Sequence, residues 1–177
     1  MRAIFTIFAI IFILSGCGSV KYNSLYTHRD NSKIDKLTTM LVGIGGSALE
    51  AKELASLAIR GSKELANRYN LVSPPQYHNF LVNSGQRSRG LCFHFVEDLM
   101  SEINSRGFKS FKFKWGRANA DKLDEHNVIV VLSKNSNFKD GIVLDAWRNS
   151  GDLLFLKVKD DPKYNFTEWE EGNRRIK

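Results

Sequence analysis

The chain has 177 residues, 26 Lys and Arg against 19 Asp and Glu for a formal charge of +7, two cysteines and three prolines. That is enough chain for one domain with a hydrophobic core, and two cysteines are too few for a disulfide-built scaffold. The basic residues are scattered, with no dense run and no interleaved aromatic motif, which argues against nucleic-acid binding and describes a solvated surface favouring anionic polymers.

The N-terminus has the layout of an export signal. Met1 and Arg2 precede an apolar run, Ala3 to Leu14, which falls short of the ~20 residues a membrane span needs. The run ends in Leu14-Ser15-Gly16-Cys17, which resembles the lipobox of bacterial lipoproteins. The resemblance implies a signal peptide over 1–16 and a lipid on Cys17, which becomes the first mature residue. Gly18 rather than Asp follows, which implies sorting to an outer membrane, facing the periplasm. Residues 17–30 are then a lipidated tether and 31–177 a single domain. The processed chain keeps a formal charge of +6, since only Arg2 is lost among the charged residues. With Cys17 committed to lipid, Cys92 is the one thiol left in an oxidising compartment and has no intramolecular partner, so it is reactive, intermolecular or, as is usual for a lone cysteine, a buried inert thiol.

Ile34, Leu37, Met40 and Leu41 predict a first helix ending at Gly43-Ile44-Gly45-Gly46. That string lacks the strand and spacing of a dinucleotide loop. Ser47 followed by Glu50 is instead a capping box. It opens an amphipathic helix over Ala48–Tyr69, with Ala51, Leu54, Ala55, Ala58, Leu65 and Ala66 on one face and Gly61-Ser62 as a bend or a break. Pro74-Pro75 ends that segment, and Tyr77–Asn83 is either a short helix or an extended strip. A glycine-bracketed loop, Gly85–Gly90, leads to a helix over about Leu91–Ser105, closed by Gly107. Beyond it the period changes. Phe108–Trp115, His126–Ser133, Ile142–Trp147 and Leu153–Val158 predict four strands, and their short links make them antiparallel. Helices first and strands after define an α+β domain.

Cys92 stands at the start of its helix, with Phe95, Leu99 and Ile103 on the same side. A helix N-terminus stabilises a thiolate. A cysteine nucleophile also needs a base and a group to orient that base. Of the four histidines, His28 lies in the tether. His94, two residues from Cys92, points about 200° away around the helix. His78 has no assigned role. His126, at the mouth of a central strand beside a polar loop, is the candidate base. Asp145, inside an apolar strand, needs a partner to be tolerated there. It is the group that orients His126, an edge-strand carboxylate facing water, or a carboxylate paired with Arg148. Gln86, six residues before Cys92, is the candidate oxyanion donor together with the Cys92 N–H. Ligand spacing for a metal is missing, and neither metal nor cofactor is expected.

The order Cys92, His126 34 residues on, then Asp145 19 further on resembles the transglutaminase-like branch of the papain-like thiol superfamily. The matching segments are Gly90-Leu91-Cys92, Glu125–Val130 and Val143–Trp147, and Gln86 resembles the glutamine of papain-type proteases. Together they span about a third of the chain, from Gln86 to Trp147. The resemblance is closest to bacterial transglutaminase-like cysteine proteinases, although Arg89-Gly90-Leu91 replaces the familiar tryptophan and glycine environment. It implies a Cys-bearing helix packed on an antiparallel sheet of about four strands and a Cys92–His126–Asp145 triad. The expected activity is an envelope-anchored thiol hydrolase or acyltransferase acting on peptide, protein or peptidoglycan-peptide amides. The alternative is a non-catalytic lipoprotein that binds cell-wall or protein partners on the same scaffold.

Overall fold

The structure is a computed structural model and describes residues 18–24 and 27–169. The signal peptide and Cys17 lie outside the described residues. The described chain is α+β, with four α-helices and a five-stranded antiparallel sheet among the described residues. Helix α1 spans His28–Gly43 and α2 spans Ala48–Arg68. They pack against each other through Ile34, Leu37 and Leu41 of α1 and the alanine-rich stripe of α2. The α2 N-cap is Ser47, whose hydroxyl accepts Glu50 N–H at 3.3 Å. Glu50 does not reach back to complete the box; its carboxylate instead takes the N–H groups of Lys109 and Ser110 (2.9 and 2.7 Å).

Gly61-Ser62 does not divide α2, which runs unbroken through both residues. A Cβ at Gly61 would lie 3.1 Å from Leu99 Cδ1, so the glycine lets α2 approach the cysteine helix closely. Ser62 Oγ bonds back to Ala58 O at 2.6 Å. A short antiparallel pair, β1 (Gly18–Ser19) with β2 (Val72–Ser73), follows at the end of α2. Pro75–Asn83 is helical, α3, with Pro75 in the first turn, where its missing N–H costs nothing. Helix α4, Cys92–Ser105, lies on the sheet and against α2.

The sheet holds β3 (Phe111–Ala118), β4 (His126–Ser133), β5 (Ile142–Asp145), β6 (Leu154–Lys157) and β7 (Thr167–Trp169), in the order β6-β5-β4-β3-β7. Four of these meet the sequence expectation. The fifth comes from the C-terminal segment, where Trp169 pairs with Trp115 and Thr167 with Arg117. Three residues are too short to show a period. Central strand β4 is buried along nearly its whole length, because both faces are covered. Ile129 and Val131 meet the helices, while Val128 and Val130 meet Val158, Tyr164 and Phe166 from the segment after β6.

Candidate functional site

Cys92 is the first residue of α4, and the loop before it is held from several directions. Gly90 has φ 123°, and a Cβ there would lie 2.2 Å from His78 Nε2. Only glycine fits both the backbone and the space. His78 is fully buried. Its Nδ1 accepts Val72 N–H at 3.2 Å and its Nε2 lies 2.9 Å from Arg89 O, so the neutral ring donates there. Arg89 clamps the loop onto the helix it precedes, through Glu97 (3.0 Å) and Asp98 (2.7 Å). His94 sits at the third helical position, and its Nδ1 accepts the N–H groups of Gly90 and Leu91 (3.1 and 3.2 Å). This is the back-bonding half of a capping box. Burial, reinforced by the Arg89 charge, lowers the proton affinity of His94, which keeps Nδ1 free to accept.

His126 and Asp145 are each 1% exposed and joined by a 2.7 Å bond from Nε2 to Oδ2. Asp145 is saturated. Arg148 Nε also reaches Oδ2 at 2.9 Å, and the N–H groups of Trp147 and Arg148 reach Oδ1 at 3.1 and 3.0 Å. Asp145 therefore pairs with both His126 and Arg148 and does not face water. Arg148 is held in turn by buried Asp161 at 2.7 Å. Burial opposes the charge on Asp145, but His126 and Arg148 outweigh it and hold its proton affinity below that of an ordinary carboxyl. Burial likewise works against a charged His126. It is overcome by the charge and hydrogen bond of Asp145 and by the adjacent Cys92, so the pKa is pushed up to about 9. The ring lies among Tyr164, Trp147 and Phe166, at centroid distances of 4.6, 5.1 and 5.9 Å.

The remaining ring nitrogen of His126, Nδ1, is buried and has no hydrogen-bond partner among the described residues. A buried ring nitrogen without a partner is costly unless it has work to do. Cys92 lies over the end of β4, and consecutive strand residues leave on opposite faces. Asn127 Nδ2 stands 3.7 Å from Sγ, and His126 is close enough for Cys92 to contribute to its raised proton affinity. Asn127 is itself fixed, its Oδ1 accepting Trp115 Nε1 at 2.7 Å. Cys92 is 8% exposed, and Phe95, Asn127, Ala146 and Trp147 close around it without a water-sized cavity.

Gln86 is exposed, and its amide donates to Ser84 Oγ at 3.0 Å; no hydrogen bond joins it to Cys92 among the described residues. Asn127 is the donor that stands beside the sulfur instead. Nothing in the local pattern singles out Asn127; its place beside the sulfur depends on how α4 packs on β4. Asp161, His78 and His94 also support the site, and their spacing carries no signal for these roles. Among the described residues no group of three His, Cys, Asp or Glu side chains is arranged to hold a metal ion. Comparison with protein-family models, with curated proteins and with solved structures finds no match.

Proposed function

We propose that this chain is an envelope-anchored thiol hydrolase or acyltransferase with a transglutaminase-like arrangement of Cys92, His126 and Asp145, held to the membrane by lipid on Cys17. The observation that carries the reading is the buried His126 ring, bonded to Asp145 through Nε2 and left with an unpartnered Nδ1 next to the only described cysteine. That arrangement supports proton exchange between Nδ1 and Sγ. Protonated His126 is the form that pairs with a thiolate, and its raised proton affinity favours it. The thiolate attacks an amide carbonyl carbon, and the carbonyl π electrons move to oxygen. Asn127 Nδ2 and the Cys92 N–H are the donors best placed for that oxyanion. His126 then gives its Nδ1 proton to the departing amine, leaving a thioester. Water or a second amine, losing a proton to Nδ1, resolves the thioester by hydrolysis or transfer. Asp145 keeps the ring oriented throughout. A peptide-type amide, in protein or peptidoglycan peptides, fits this chemistry.

The test is alkylation with iodoacetamide followed by peptide mass mapping. Modification at Cys92 that is fast, and slowed by His126→Ala in a folded variant, supports the reading. Cys92 that reacts no faster in wild type than in His126→Ala defeats it. One observation favours a second reading, a non-catalytic lipoprotein that binds wall or protein partners. Cys92 is 8% exposed, so substrate reaches the thiol only after the surrounding side chains move. Under that reading Cys92 stays inert in the native protein, and a Cys92→Ser, His126→Ala double variant binds its partners unchanged.

A further inference from the structure

We propose that the Tyr77–Phe80 face of α3 docks on the bilayer that holds the Cys17 lipid, with both rings seated among the headgroups. This rests on Cys17 being the lipidated residue. Gly18, covalently next to Cys17, is part of the folded domain. Gly18 pairs with Ser73 and Ser19 with Val72, and Val20 N–H bonds Leu71 O at 2.7 Å. Tyr22 and Asn67 exchange bonds of 2.9 and 3.0 Å, and the Tyr22 hydroxyl donates to Ser150 O at 3.0 Å. A lipid on residue 17 is thus attached within one residue of this surface, about 4 Å of chain. Helix α3 begins two residues beyond Ser73, so its first turn lies on the order of 15 Å from the anchor.

Pro75, His78 and Leu81 are the buried side of α3. The outer side presents Tyr77 and Phe80, 40% and 58% exposed, with rings stacked at 6.2 Å and 19°. Aromatic rings on a surface helix beside an anchor suit the membrane interface, where their faces meet acyl chains and their edges meet headgroups. Two rings are far short of the ~800 Å² per partner that a stable protein interface buries, which favours a bilayer over a protein occupant. Charge agrees with an anionic bilayer. Lys21 is exposed near the anchor, exposed Arg87 stands just past α3 with its N–H on Leu81 O, and the chain is basic overall. The same helix carries Asn79, which accepts Trp147 Nε1 at 3.0 Å, and Trp147 lies against His126. Docking on α3 therefore puts the thiol site at the membrane-proximal end of the domain.

The experiment uses the full-length lipoprotein in vesicles of phosphatidylethanolamine and phosphatidylglycerol. Phe80→p-benzoylphenylalanine is compared with the same substitution at Leu49. Leu49 is 81% exposed and stands at the far end of α2, a 21-residue helix roughly 31 Å long. Tyr77→p-benzoylphenylalanine is the second probe of the same face. Mass spectrometry of the N-terminal peptide first establishes the lipid on Cys17; an unmodified Cys17 removes the anchor reading itself. With the lipid present, the expected result is a phospholipid mass shift on the peptides carrying positions 77 and 80 and none on that carrying 49. No lipid adduct at 77 or 80, equal adducts at 49, or cross-links to a second copy of the chain would overturn the docking face.

Discussion

The carboxylate of Asp145 accepts four hydrogen bonds while almost wholly buried, and which of them a substitution removes decides its effect. Asp145→Asn removes the charge that most favours protonated His126. The His126 pKa, followed by NMR of the ring carbons, is expected at about 9 in wild type and well below that in Asp145→Asn. If His126 acts as the acid toward the leaving amine, turnover falls as pH rises through that value, and the variant moves this limb to lower pH. The linkage to stability has a definite sign. The folded-state pKa of about 9 lies above the ordinary histidine value of ~6.5, so the stabilising contribution is complete below pH ~6.5 and is lost between ~6.5 and ~9. Urea unfolding across that window reads it, and His126→Ala flattens the dependence. At Asn127, Asn127→Asp keeps the acceptor for Trp115 Nε1 but loses the donor beside the sulfur. Under the proposed thiol chemistry, turnover should fall by roughly 10²–10³-fold, as for loss of one oxyanion donor, while Gln86→Ala should leave it nearly unchanged. A larger effect at Gln86 than at Asn127 would return the oxyanion role to the loop.

Two elements carry the geometry into the site. The turn before α4 works only with glycine at position 90. Gly90→Ala meets His78 Nε2 at 2.2 Å in a left-handed backbone conformation. We expect about 1–3 kcal/mol of lost stability from backbone strain, or 2–12 °C in Tm for a chain of this size, with slower Cys92 alkylation because the helix start shifts. Gly85, also at positive φ, has open space around it, so Gly85→Ala separates strain from the clash. The second element is the strand end that carries His126. Its position was legible from the β-branched run after a polar loop, and β4 begins at His126 as the pattern predicts. The cover on its other face was not. Tyr164 and Phe166 lie against the ring from a segment with no regular period, and a fold-dependent contact leaves no local trace.

At the scale of the whole molecule, the α1–α2 pair is tied by a buried ion pair between Lys63 and Asp30. Asp30 also completes the α1 capping box with Thr27, and the Lys63 ammonium stands 5.0 Å above the Tyr22 ring. Lys63→Met strands a buried carboxylate, which costs about 3–5 kcal/mol. That corresponds to a Tm drop on the order of 10 °C, read by circular dichroism. Asp30 is held below its ordinary proton affinity, with burial opposing and Lys63 and Thr27 prevailing. Its share of stability is therefore present above the usual carboxylate range and fades as pH falls below it. The Lys63→Met variant should lose that acid dependence.

By itself the sequence determined the α+β order, the helix that starts at Cys92, the strand that starts at His126 and the acid at Asp145. Each of these is written in local periodicity, capping and the cost of a charge in an apolar strand. Only the tertiary structure decided what meets the thiol. It turned Gln86 onto Ser84, brought Asn127 to the sulfur, gave Asp145 both His126 and Arg148, and added a fifth strand and an aromatic lid from the C-terminal segment. Those contacts join residues far apart in the chain, and their geometry exists only once both layers have packed.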